Sequence, residues 1–129
     1  MDSVTMVSKL DFDEGKKAVA AVRQAGIPLR YAFWGYFADS QEYRLVLPTE
    51  AVESRGPMAV YAEIQKAFTA QQIRIPLHLV TVVRAAEPLG QLGLNALRIA
   101  KPFTVTSTGG SLVSNDVLNV TVDTRYVYQ

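Results

Sequence analysis

The stretch that decides the fold reads Leu29-Arg-Tyr-Ala-Phe-Trp-Gly-Tyr-Phe37, then Ala38-Asp-Ser-Gln-Glu42, then Tyr43-Arg-Leu-Val-Leu47. Two apolar runs rich in aromatics flank a polar segment led by Asp39. That pattern is a β-hairpin: such side chains suit a pleated, half-buried surface, and Asp-Ser-Gln has the chemistry of a type I turn in a longer loop. Pairing Phe37 with Tyr43 places Tyr36 opposite Arg44, Trp34 opposite Val46 and Phe33 opposite Leu47. In that register Leu29, Tyr31, Phe33, Gly35, Phe37, Tyr43, Leu45 and Leu47 form an apolar face directed at the core. Arg30, Ala32, Trp34, Tyr36, Arg44 and Val46 form a second face that mixes aromatics with arginine.

On the N-terminal side of the hairpin, the spacing of Phe12, Ala18, Val19 and Val22 predicts a helix over 12–25, with Asp11 as its N-cap and Glu14 in the capping-box position. Gly26, Ile27 and Pro28 end it, Ile27 folding back on Val22 as in a Schellman motif. Beyond the hairpin, residues 48–56 read as a turn-rich connection, and Pro57 opens a second helix to about residue 70, with Val60, Tyr61, Ile64, Ala67 and Phe68 at helical spacing. Leu77-His-Leu-Val-Thr-Val-Val83 is almost continuously apolar and β-branched, the signature of an interior strand, and it belongs beside the hairpin. A third helix over 88–100 is apolar nearly all round and carries two weakening glycines, Gly90 and Gly93.

The C-terminal part changes to a Val- and Thr-rich alternation. It predicts a strand over 103–107, a turn at Thr108-Gly-Gly-Ser111 and a strand within 117–128. In that last strand Leu118, Val120, Val122, Tyr126 and Tyr128 share one face, and Asn119, Thr121, Asp123 and Arg125 the other. The order α-β-β-α-β-α-β-β describes a single two-layer α+β domain over 1–129, with helices packed on a mixed, mainly antiparallel sheet. Residues 1–8 read as a flexible piece.

With 129 residues and 49% hydrophobic content the chain can fill one core. A net charge of +1, with both signs scattered along the chain, provides no field that would draw DNA, an acidic substrate or an anionic membrane. The absence of cysteine removes disulfides, thiolate metal sites and a cysteine nucleophile. The first ten residues lack a basic start followed by an apolar core, and no apolar run reaches membrane-spanning length, so a soluble cytoplasmic protein is the expectation.

The residues that carry chemistry are few. His78 is the single histidine and lies between leucines, where a histidine satisfied by a backbone carbonyl is commoner than a catalytic one, and no serine sits in a nucleophile elbow. Asp11, Asp13 and Glu14 suit a helix start, and Glu50 with Glu53 read as solvated loop charges, so neither cluster makes a metal site. The glycine pairs match neither a Walker loop nor a dinucleotide fingerprint, and no cofactor is expected. Asp39, Glu42 and Arg44 imitate the carboxylate–carboxylate–lysine order of a nuclease, but an arginine stays protonated and does not help to deprotonate water.

The remaining constellation is Arg30, Trp34, Tyr36 and Arg44, the candidate binding residues. If exposed, they would anchor a protein contact or stack on unpaired bases. If covered, Trp34 is core and Tyr36 with Arg44 forms a cross-strand cation–π pair. The main expectation is therefore a non-catalytic interaction or oligomerising domain, a two-fold dimer or the small partner of a larger protein encoded beside it. The alternative is a nucleic-acid-associated protein or degenerate nuclease.

Several short motifs also resemble a set of small bacterial proteins without assigned function. They are Ala32-Phe-Trp-Gly-Tyr36, Tyr43-Arg-Leu-Val-Leu-Pro-Thr49, Gly56-Pro57 ahead of a helix with Ala59 and Tyr61, Glu87-Pro-Leu89 and Tyr126-Val-Tyr128. The chain departs from that pattern in lacking a glycine in the hairpin turn and in having Glu87 where Asp is usual. The resemblance implies a compact family domain of bacterial origin and implies no activity.

Overall fold

A computed structural model of the chain describes residues 9–100 and 111–129. The elements are α1 (Lys9–Gln24), β1 (Ala32–Phe37), β2 (Glu42–Pro48), α2 (Ala51–Arg55), α3 (Pro57–Gln71), a 3-10 turn at Leu77–Leu79, β3 (Val80–Val83), α4 (Pro88–Ala100), β4 (Leu112–Asn115) and β5 (Val120–Tyr128). The five strands form one sheet in the order β3-β2-β1-β5-β4, antiparallel except for the parallel pair β2 and β3. This is the α+β arrangement expected, with one short helix, α2, inside the connection that reads as turns. Residues 1–8, expected to be flexible, the strand expected over 103–107 and most of the turn expected at Thr108–Ser111 fall outside the described residues.

Helices cover the sheet on both sides, so the two expected layers become three. On one side Trp34, Leu45, Leu47, Val80 and Val82 pack with Val19 and Val22 of α1 and with Val60, Ile64 and Phe68 of α3. On the other, Phe33, Val46, Val83, Val120 and Val122 pack with Leu92 and Ala96 of α4. The third layer explains why the hairpin and the third helix are apolar so far round. Each sheet face has its own helical cover, and burying apolar surface on both is the main favourable term for a chain of this size.

The hairpin is present, but its register differs by one residue from the expected one. Phe33 pairs with Val46, Trp34 with Leu45 and Tyr36 with Tyr43, closing on Phe37 and Glu42. The cause is the loop. Gln41 donates its N–H to the Ala38 carbonyl and adopts a left-handed φ of 54°, so the turn takes only residues 38–41 and Glu42 joins the strand. A slip of one residue exchanges the faces of a whole strand. Leu45 and Leu47 therefore lie beside Trp34, and Val46 lies beside Phe33.

The N-terminal helix starts earlier than expected, at Lys9, which puts Asp11 inside it instead of at its cap. Glu14 does not close a capping box either. Buried at 6% exposure, it accepts the backbone N–H of Arg74 at 2.6 Å and so ties α1 to the chain just after α3. The C-terminus of α1 follows the expected Schellman motif: Gly26 has φ 88°, Gly26 N–H bonds the Arg23 carbonyl and Ile27 N–H bonds the Val22 carbonyl.

The strand expected over 77–83 is shorter and lies at the sheet edge. Leu77–Leu79 form the 3-10 turn, and Val80–Val83 pair only with β2. Its apolar run reflects cover from α3 on one face and contact with the α4 cluster on the other, which an edge strand can have as well as an interior one.

The last strand breaks its alternation. Between the pairs Gly35–Val122 and Phe33–Val127, residues 123–126 of β5 lie opposite Trp34 alone, so the odd number of extra residues reverses which face the side chains take. Val120 and Val122 face α4, whereas Tyr126 and Tyr128 face α1, instead of sharing one side. The loosened backbone is satisfied locally. Asp123 accepts the backbone N–H of Arg125 and both its guanidinium bonds, and Thr124 exchanges two hydrogen bonds with Ser111. Burial pushes the Asp123 carboxyl up, but the bonds from Arg125 outweigh it and hold its pKa below the ordinary value.

Candidate functional site

The four residues singled out on the hairpin do not meet on one exposed face. Trp34 is 5% exposed and points to α1, where its Nε1 donates to Tyr128 Oη at 2.8 Å, and that hydroxyl in turn donates to the Phe12 carbonyl at 2.8 Å. Gly15 leaves the notch for this hydroxyl, since a Cβ there would overlap it. Tyr36 is buried as well and meets Tyr43 edge-on, with ring centroids 5.1 Å apart. Arg44 faces the opposite side. It bonds Glu42 at 2.6 Å and lies over the Phe37 ring at 5.1 Å, so the cation–π contact involves Phe37 and not Tyr36. The single-residue register shift is what separates them.

The residues of the nuclease-like order are engaged elsewhere. Asp39 accepts a hydrogen bond from Asn119, and Glu42 is held by Arg44. Among the described residues no group of three or more histidine, aspartate or glutamate side chains is placed to hold a metal ion. His78 is exposed on the 3-10 turn and lies outside β3. No described helix is long and apolar enough to cross a membrane.

Arg30 leads to a different place. It lines a cleft of about 530 Å³ at the end of the sheet where β1 begins and β2 ends. Tyr31 and Pro28 come from the segment before β1, Pro48, Thr49 and Glu50 from the end of β2, and Leu94, Leu97 and Arg98 from α4. Each wall is built for a local reason. Pro28 follows the Schellman end of α1 and sends the chain away extended. Tyr31 donates its hydroxyl to the Gly90 carbonyl at 2.7 Å, which fixes its ring against the start of α4. Thr49 donates its N–H to the Val83 carbonyl and accepts the Ala51 N–H on its hydroxyl, which holds the turn into α2. Leu94, Leu97 and Arg98 are three and four residues apart and therefore share one side of α4.

The charge of this cleft is its distinguishing property. Arg44, Arg55, Arg74, Arg84 and Arg125 form ion pairs with Glu42, Glu63, Glu14, Glu53 together with Glu87, and Asp123, and Arg23 bonds the carbonyls of Leu29 and Gln129. The two arginines that have neither a hydrogen bond nor an ion pair among the described residues are Arg30 and Arg98, and both line the cleft. Leu94 and Leu97 line the same cleft and make its wall partly apolar. Burial raises the Tyr31 phenol above its ordinary pKa, and the positive charge of Arg30 pulls it back only in part, so at neutral pH the hydroxyl remains a neutral donor to Gly90.

The sequence reading found Arg30 for another reason and missed Tyr31, Thr49, Leu94, Leu97 and Arg98 as a set. The cleft gathers residues from four separate parts of the chain, and no local spacing records that. The one available signal was Arg98 on the same side as Leu94 and Leu97 in a helix otherwise short of charge. Comparisons with protein-family models, with curated proteins and with solved structures find no match to this chain.

Proposed function

We propose that the chain is a binding domain that recognises an anionic group in the cleft of Arg30 and Arg98 and performs no chemistry of its own. The observation that carries this reading is that the two arginines without a partner among the described residues stand in one cleft, beside the apolar side chains of Leu94 and Leu97. Guanidinium groups pair with carboxylates and phosphates through charge-assisted hydrogen bonds, and a partly apolar wall adds contact for the rest of a ligand. The volume lies within the range of roughly 300–1,000 Å³ typical of small-molecule sites. The aromatic hairpin, by contrast, serves the interior.

Titration with benzoate and with inorganic phosphate, followed by backbone amide NMR, tests the reading. Shifts are expected at Tyr31, Thr49 and Leu97 in the native chain. In Arg98→Ala, an exposed position, affinity should fall about tenfold or more, the scale of a charge-assisted hydrogen bond. Equal shifts in both proteins, or shifts confined to another surface, would refute it.

Self-association is a second reading, and one observation favours it. The apolar hairpin and α4 faces are covered within one chain, but among the described residues β4 is an edge strand on which Leu112 is 65% exposed, next to a turn carrying Val117 at 95%. Such an edge pairs readily with a second copy, and two-fold dimers are the commonest soluble assembly. A dimeric mass by light scattering that becomes monomeric in Leu112→Lys is the expected result. A monomeric native protein at tens of micromolar removes this reading.

A further inference from the structure

The charges lining the cleft point to a small zwitterion of amino-acid type as its occupant, an inference that deepens the anion-binding reading and rests on it. The added observation is Glu50. It occupies the N-cap position of α2 but makes no capping hydrogen bond, and it forms no ion pair with Arg30 or Arg98 although all three line the same cleft. Its neighbour Glu53 is taken up by Arg84, and Glu50 is the acidic side chain among the residues that line the cleft. Two guanidinium groups and one side-chain carboxylate, none of them paired among the described residues, set a pattern that a simple anion does not complement. A bare carboxylate or phosphate would gain from the arginines and be repelled by Glu50.

A molecule with a carboxylate, an ammonium group and an apolar side chain uses all the lining groups at once. Arg30 and Arg98 take the carboxylate, Glu50 takes the ammonium, and Leu94 with Leu97 receives the side chain. Tyr31 supplies a rigid wall, because its hydroxyl is already fixed on the Gly90 carbonyl. Specificity then comes from unlike charges at separate positions. A ligand lacking either one leaves a charged group without its partner and loses affinity steeply.

Calorimetry on the full chain with leucine and phenylalanine, each compared with its N-acetyl derivative and its methyl ester, separates the alternatives. The free amino acids should bind, and removing the charge at either end should weaken binding about tenfold or more. Glu50→Gln should level the free and acetylated acids, while Arg98→Ala should weaken both. Acetylated acids that bind as tightly as the free ones, or a Glu50→Gln variant that strengthens both, would show a plain anion site: the zwitterion inference fails and the cleft reading stands. If neither free nor acetylated acid binds at millimolar concentration and benzoate and phosphate are also silent, both are overturned.

Discussion

Trp34→Ala is expected to lower the unfolding free energy by about 3–5 kcal/mol, the scale for removing a large buried aromatic. The indole is enclosed: it is 5% exposed in the core between the sheet and α1, its pair on β2 is Leu45, and residues 123–126 of β5 lie opposite it. Its Nε1 is held by Tyr128, whose ring stacks on Phe12 with centroids 4.7 Å apart. Truncation therefore leaves a cavity and also removes the anchor between α1 and the last strand. Tyr128→Phe is the control. It keeps the packing but takes away the acceptor of the indole N–H, at a cost of about 1–3 kcal/mol for a buried donor without a partner. Urea unfolding of both variants measures the difference, and a loss near zero for Trp34→Ala would place the indole on the surface.

Gly93→Ala should destabilise by about 1–3 kcal/mol, the usual penalty for overpacking a core. The sign is the point. In an exposed helix the same change stabilises by about 1 kcal/mol, because glycine is the poorer helix former. In α4 a Cβ at position 93 would overlap the ring of Phe33, one of the most deeply buried side chains, so the helix must move away from the sheet or the ring must turn. At Gly90 a Cβ would come within 2.6 Å of the Ala85 carbonyl oxygen and 2.7 Å of that of Arg84, and backbone yields less readily than a ring. Of the two glycines that weaken the sequence pattern of this helix, Gly93 lets it close on the sheet and Gly90 lets its first turn close on the backbone of Arg84 and Ala85. In a Phe33→Leu background the cost of Gly93→Ala should shrink, since residues in contact are not additive. An unchanged cost would mean that the ring is not the obstacle.

Where the elements lie was largely legible. Gly26 with Pro28, Pro57 and Pro88 are local signals, and each acts within one turn of its own position. The strand registers were not. A hairpin loop of four residues instead of five depends on Gln41 taking a left-handed φ of 54°, a conformation that a glycine would have announced and a glutamine does not. The bulge at 123–126 is equally silent, closed by Asp123, Thr124 and Arg125, which in sequence merely continue an alternating strand. These two irregularities redirected Trp34, Arg44, Tyr126 and Tyr128. The cleft was hidden for a third reason: an arginine without a partner can be recognised only once the partners of all the others are known.

The position of β5 between β1 and β4 has a consequence for how the protein is made. Synthesis runs from the N-terminus at about 5–20 residues per second, so the interval between completing β1 and adding Tyr128 is on the order of ten seconds. During that time the hairpin has emerged with its second edge unpaired and its indole without the phenol that will hold it. A nascent chain in this state presents an open aromatic strand to every neighbouring polysome. Slow decoding between residues 48 and 120 should therefore lower soluble yield more than the same pause after residue 128, and ribosome-bound chaperones should engage the hairpin until the last strand arrives.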